Sequence, residues 1–179
     1  MLTQQKKEIE SIKERTITIN LSDADCERIA RLTGEHGISV SELLENFIGD
    51  LVDGTYSNGS DERMYAEQYF ERCWFGMFPE ETFLRHLLEY GSYAVNSFIM
   101  HCDLLEECGE QLAEYEGKEL SEDEKQELIG IQEEIEFQKS ELKEYYDSYV
   151  DSVKKPESYE EGLEKVLEWR KELLTLKGE

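Results

Sequence analysis

The apolar positions change period along the chain, and each change marks a different element. Residues 1–14 are polar and mixed in charge, with Ile9 and Ile12 to bury, and predict a flexible or helical N-terminal arm. Strict alternation follows. Thr16, Thr18 and Asn20 fall on one face of a short strand and Ile17, Ile19 and Leu21 on the other, which is the buried one. Ser22 then reads as an N-cap, with Asp23 and Asp25 in the first turn of a helix that carries Cys26, Ile29, Ala30 and Leu32 and leaves through Gly34 and Gly37. Ser39, Val40, Ser41 and Glu42 spell a capping box, opening a second helix through Leu43, Leu44, Phe47, Ile48, Leu51 and Val52.

Thr55, Tyr56, Ser57, Asn58, Gly59 and Ser60 are turn residues, and they mark the expected domain boundary. From residue 61 the pattern is helical to the end. Met64, Tyr65, Tyr69, Phe70, Cys73, Trp74, Phe75 and Met77 make the most aromatic segment, expected to lie in the core. Pro79 suits the first turn of a helix through Phe83, Leu84, Leu87 and Leu88 that pauses at Gly91. The next helix carries Val95, Phe98, Cys102, Leu105 and Leu112 up to Gly117. Ser121 and Glu124 then form a second capping box.

Beyond that box Leu128, Ile131, Ile135, Gln138, Leu142, Tyr145 and Tyr149 repeat at three-four spacing, with one polar interruption at Gln138. Two such helices joined by a short capped turn predict an antiparallel, coiled-coil-like hairpin. A last helix, opened by Pro156 and carrying Tyr159, Leu163, Val166, Leu167, Trp169, Leu173 and Leu174, completes a bundle. The expected fold is therefore mostly α, with an N-terminal arm (1–14), a strand-helix-helix module (15–54) and an acidic helical bundle (61–179).

Charge sharpens this picture. The 179 residues hold 43 acidic and 19 basic side chains, a formal net charge of −24. With 39% hydrophobic and 11% aromatic residues the chain is nevertheless expected to fold. Residues 1–52 contribute ten acids against six bases, so most of the negative field belongs to the bundle. Glu106, Glu107, Glu110, Glu114 and Glu116 sit on one arm of the hairpin, and Glu133, Glu134, Glu136, Glu141, Glu144, Asp147 and Asp151 on the other. Carboxylates spaced along a rigid rod imitate a nucleic-acid backbone and steer a basic cleft towards it. The candidate partner-binding face is Glu106, Glu110, Glu114, Glu133, Glu136, Glu144 and Asp147.

Enzyme chemistry finds less support. His36, His86 and His101 are the only histidines, and none has the spacing of a metal or hydrolase motif. His101, Cys102, Asp103 and Cys108 come nearest to a ligand cluster, but neighbours on a helix diverge by about 100° and do not converge on one ion. The four cysteines lack CxxC pairing and are expected to be buried, inert thiols. No apolar run is long enough to span a bilayer. A cytoplasmic protein with no metal, no cofactor and no membrane association is the expectation.

The alternating strand, the two short helices and the Ser-Val-Ser-Glu helix start resemble the ribbon-helix-helix family of dimeric regulators over about residues 15–53. That resemblance implies a homodimer in which two strands pair, with Ile17, Ile19 and Leu21 in the dimer core. It also implies that Thr16, Thr18 and Asn20 face the DNA major groove while the amides at Ser39, Val40 and Ser41 face phosphates. The shortage of Lys and Arg in this part departs from DNA-binding needs. The acidic remainder is similar in plan to small phage and mobile-element inhibitors, of anti-CRISPR or antitoxin type, that block basic nucleic-acid-handling proteins. Two functions follow as expectations. One is a non-enzymatic dimer that binds and inhibits a basic protein by nucleic-acid mimicry; the other is a transcriptional regulator on operator DNA.

Overall fold

The computed structural model describes residues 2–55, 57–90, 92–115 and 117–179. Tyr56, Gly91 and Glu116, which entered the sequence argument, lie outside the described residues. Among the described residues there are nine helices, and none is long and apolar enough to cross a membrane. The chain divides into two compact units, Met1–Pro79 with Leu173–Glu179, and Glu80–Glu172.

The first unit contains α1 (Leu2–Glu10), α2 (Asp23–Glu35), α3 (Val40–Leu51), α4 (Ser60–Arg72) and α5 (Trp74–Met77). Its helix starts obey local chemistry. Ser22 accepts the Asp25 amide at 3.2 Å, and Ser39 and Glu42 exchange the two bonds of a capping box at 3.1 and 2.7 Å. The turn between α3 and α4 lies inside this unit. Asp50, buried beneath it, accepts the Asn58 amide at 2.7 Å and the Asn58 side chain at 2.9 Å, and Arg63 reaches Asp53 at 2.6 Å.

The expected strand is not formed. Residues 12–22 carry no helix or ladder, and Ile17, Ile19 and Leu21 are 55, 52 and 50% exposed. The reason is physical: a single six-residue strand has no neighbour within its own chain to take up its backbone groups. The aromatic segment departs from expectation too. Tyr65, Tyr69, Phe70, Trp74, Phe75, Met77 and Phe78 are all exposed, and Ala66 is the one buried hydrophobic residue among the described residues of this unit.

The second unit has a core of its own. It contains α6 (Phe83–Glu89), α7 (Ser92–Glu114), α8 (Glu122–Ser152) and most of α9 (Tyr159–Lys177). Phe83, Leu87, Val95, Phe98, Ile99, Leu142, Tyr149 and Val166 form one buried cluster, with Leu163, Trp169 and Tyr145 packed against it. Phe83 is its hub. The ring meets Phe98 edge-on at 5.1 Å, Tyr146 at 5.5 Å and Tyr149 at 5.5 Å. The helix that begins there is capped by Thr82, which accepts the Arg85 amide at 3.1 Å, so α6 starts after the turn that Pro79 suggested. Similarly α9 is opened by Ser158 and Glu161, a capping box two residues beyond Pro156.

Gly162 brings α9 onto Phe83, for a Cβ there would lie 2.8 Å from the Phe83 Cβ. Phe83→Ala is expected to cost about 3–5 kcal/mol by opening a cavity, and Gly162→Ala about 1–3 kcal/mol by overpacking. The ring atoms Cδ1 and Cγ stand 3.1 and 3.3 Å from the added methyl, while the 2.8 Å contact is to the Cβ that alanine keeps, so thermal denaturation of the double variant should show somewhat less than the sum. Full additivity would mean that α9 is not seated on Phe83.

Candidate functional site

The hairpin of α7 and α8 places the acidic face, and its seam is the apolar three-four repeat read from the sequence. Ser121 opens α8 by accepting the Glu124 amide at 3.3 Å, while Glu124 returns to the Ser121 amide at 2.7 Å. That bond holds the Glu124 carboxyl below its usual range. The polar interruption at Gln138 is buried, and its side-chain carbonyl accepts from His101 Nδ1 at 2.6 Å. Glu141 lies 3.8 Å from His101 Nε2 on the other side of the ring. A buried polar layer of this kind fixes register, because any slip leaves both groups unpaired.

With the seam turned inward, the carboxylates face water. Glu106, Glu110, Glu114, Glu133, Glu136, Glu144 and Asp147 are all exposed. Glu106, Glu110 and Glu114 recur every fourth residue along α7, and the four on α8 fall on one face by helical spacing. Lys139 pairs with Glu136 and Lys143 with Asp147; the other five form no ion pair among the described residues. Glu80–Glu172 as a whole carries 27 acidic and 10 basic side chains, so mobile cations or a basic partner must neutralise the surface.

The ribbon candidates lie elsewhere. Thr16, Thr18 and Asn20 are exposed together with Ile17, Ile19 and Leu21. Ser39, Val40 and Ser41 stand at the start of α3, as the capping box requires. There the Ser39 amide is already bonded to the Glu42 carboxylate, which that bond holds below the usual range. An ionised carboxylate thus occupies the place a phosphate would seek.

The nearest approach to a metal cluster is dispersed by the fold. His101 turns to α8, whereas Asp103 forms a two-pronged pair with Arg170 of α9 at 2.5 and 2.8 Å. No group of three or more metal ligands gathers among the described residues. Burial pushes the Cys102 thiol up to about 11, with Asp103 adding to the shift and Arg170 opposing it, so this sulfur stays protonated. Cys108 is buried, but Cys26 is exposed on α2, against the expectation that all four thiols are buried.

One polar site was not legible in sequence. His86 is buried in a groove of about 270 Å³ lined by Glu81, Arg85, Glu89, Tyr90 and Ser152. Its ring nitrogens lie 3.2 Å from Ser152 Oγ and 3.4 Å from Ser148 Oγ, partners 66 and 62 residues away. A serine beside a histidine suggests a nucleophile and its base, but Ser152 donates its hydrogen to the Tyr149 carbonyl at 2.8 Å. With its hydrogen so placed, Ser152 accepts from the His86 ring and orients it.

No family model, curated protein or solved structure matches the chain.

Burial lowers the His86 pKa from its ordinary value, with Glu89 opposing. The fold therefore favours the neutral ring, and the stability this contributes is complete above the unfolded value near 6.5 and lost as pH falls below it. Relative to wild type, His86→Gln should show its largest deficit in melting temperature at about pH 7.5 and a smaller one at about pH 5.5. A deficit independent of pH would show that the ring does not titrate with folding.

Proposed function

We propose that this chain is a non-enzymatic homodimeric binding protein, of the kind made by phages and mobile elements, whose acidic helical unit binds and inhibits a basic nucleic-acid-handling protein. The observation that carries the reading is the row of exposed, largely unpaired carboxylates on α7 and α8. A duplex presents a negative charge about every 1.7 Å along its axis. Two antiparallel rods of glutamates offer a coarser version of that field on a scaffold whose polar layer and core prevent it from yielding. Steering then draws in a cleft built for phosphates, and its lysines and arginines find carboxylates instead.

Dimerisation belongs to the same proposal. Residues 16–21 would pair with their twin as an antiparallel ribbon, burying Ile17, Ile19 and Leu21 between the copies, in the manner of the ribbon-helix-helix family. A second reading, a regulator that reads operator DNA, draws on Thr16, Thr18 and Asn20, which are exposed and which a paired ribbon would turn to the groove. The Glu42 carboxylate at the start of α3 and the net acidity of residues 1–52 weigh against it.

Reversing Glu133, Glu136, Glu144 and Asp147 to lysine tests the mimicry. Basic nucleic-acid enzymes, RNA-guided nucleases and toxin components among them, are titrated against wild type and variant across a salt series. Wild-type affinity should fall steeply with salt, since screening acts over about 10 Å at 0.1 M, and the reversed variant should not bind while melting as wild type does. Retained binding with an unchanged salt slope would exclude mimicry. Operator binding gained by the variant would favour the regulator.

A further inference from the structure

The turn that joins α3 to α4 contains the dipeptide Asn58-Gly59, and this sets Asn58 apart from the other asparagines. Asn20, Asn46 and Asn96 are followed by Leu, Phe and Ser, whereas Gly59 has no side chain to hinder its own amide nitrogen. Among the described residues that nitrogen donates no hydrogen bond. A nitrogen so placed attacks the side chain before it. A bond forms from the Gly59 nitrogen to Asn58 Cγ and the Cγ–Nδ2 bond breaks; the proton lost from the attacking nitrogen ends on Nδ2, which leaves as ammonia. Water then opens the five-membered imide at either carbonyl, giving aspartate or isoaspartate at position 58. Water is the only co-reactant, and Asn58 is exposed to it.

The fold holds this reaction back. Asp50, in the last turn of α3, is 8% exposed. Its Oδ1 accepts the Asn58 backbone amide at 2.7 Å, and its Oδ2 accepts Asn58 Nδ2 at 2.9 Å. Two bonds to one carboxylate restrict rotation of the Asn58 side chain, and any attack that expels Nδ2 has to break one of them. Charge acts in the same direction. Donation from Nδ2 to an anion pushes electron density towards Cγ and makes it a poorer electrophile, and the same anion opposes the oxyanion that the attack creates. The bond from the Asn58 side chain is also the main cause that holds the Asp50 carboxyl below its usual range, so the carboxylate stays ionised at neutral pH.

We propose that Asn58-Gly59 is a self-modification site held in check by Asp50, and that its conversion is a one-way release of the turn between α3 and α4. The irreversibility lies in the product. An acid at position 58 has no side-chain N–H to donate, and it sets a second anion against buried Asp50, so attraction becomes like-charge repulsion. Backbone bonds from Gly54 to the Gly49 carbonyl at 2.8 Å and from Ser57 to the Gly54 carbonyl at 3.2 Å shape the near half of the turn, and the Asp50 clamp ties its far end to α3. An opening that lasts long enough for the reaction is thereby made permanent.

The test compares the full-length wild type, Asp50→Asn and Ser39→Ala, each incubated at mildly alkaline pH with and without urea. Conversion is read as the mass gain of an amide becoming an acid, assigned to residue 58 by peptide fragmentation. Asp50→Asn keeps the shape of the side chain but removes its charge and one acceptor oxygen. Ser39→Ala loosens the start of α3 without touching Asp50, and so separates loss of the clamp from loss of stability. Without urea the wild type should convert many-fold more slowly than in urea, Asp50→Asn several-fold faster than wild type, and Ser39→Ala as wild type does. Equal rates for the two variants, or a wild type as fast without urea as with it, would overturn the restraint. As a second arm, Asn58→Asp stands for the product. The backbone amides of residues 58 and 63 should exchange many-fold faster than in wild type, since the first is bonded to Asp50 and the second to the Gly59 carbonyl. Adding Asp50→Asn should restore their protection, because an amide at position 50 then donates to a carboxylate at position 58. Wild-type exchange in Asn58→Asp, or no recovery in the swapped pair, would contradict the release.

Discussion

Backbone groups and apolar side chains that the chain cannot satisfy by itself govern this molecule. Each ordered residue costs roughly 1–2 kcal/mol of backbone entropy, and that cost has to be met by burial. Among the described residues of 1–79 one hydrophobic side chain is buried, Ala66, beside polar groups such as Thr33 and Asp50. The Ser22 cap, the Ser39–Glu42 capping box and a buried Asp50–Asn58 contact define the helices locally, but local bonds do not supply the missing apolar burial. Residues 16–21 and the aromatic residues of α4 and α5 both leave apolar side chains exposed. In the reading proposed above another copy supplies that burial at residues 16–21, since an antiparallel strand pair related by a twofold is self-complementary.

The acidic unit solves the opposite problem. It closes its core around Phe83 without help, and so can carry charge that would destabilise a looser fold. Gly162 lets α9 close on that ring, Arg170 ties α9 to Asp103 of α7, and the His101–Gln138 layer keeps the hairpin in one register. Rigidity matters to the proposed use, because a row of carboxylates competes with a nucleic acid only if its spacing survives the mutual repulsion of its members.

Much of this was legible in the sequence, for local reasons. Ser22, Ser39 and Ser121 cap helices with residues three positions on, and such bonds are written within a few letters of each other. The Ser158–Glu161 box and the Thr82 cap have the same signature, but each follows within three residues of a proline, itself a common helix opener. Gln138 showed as a gap in the apolar repeat; its partner His101, 37 residues away, did not. Likewise nothing links His86 to Ser148 and Ser152 before the chain folds. Hydrophobicity at residues 64–78 reads as core, which the exposed rings contradict. It could not tell whether the cover comes from the same chain, and among the described residues of this chain those rings remain in water.

The direct test is amide hydrogen exchange across residues 16–21 of the full-length protein, at micromolar concentration and after dilution. In an antiparallel two-stranded ribbon each strand gives alternate amides to its twin, so about half of this segment should be protected at high concentration and lose that protection on dilution. Exchange at the rate of free peptide at every concentration would show that the strand never finds a partner. The dimer on which this account rests would then be wrong.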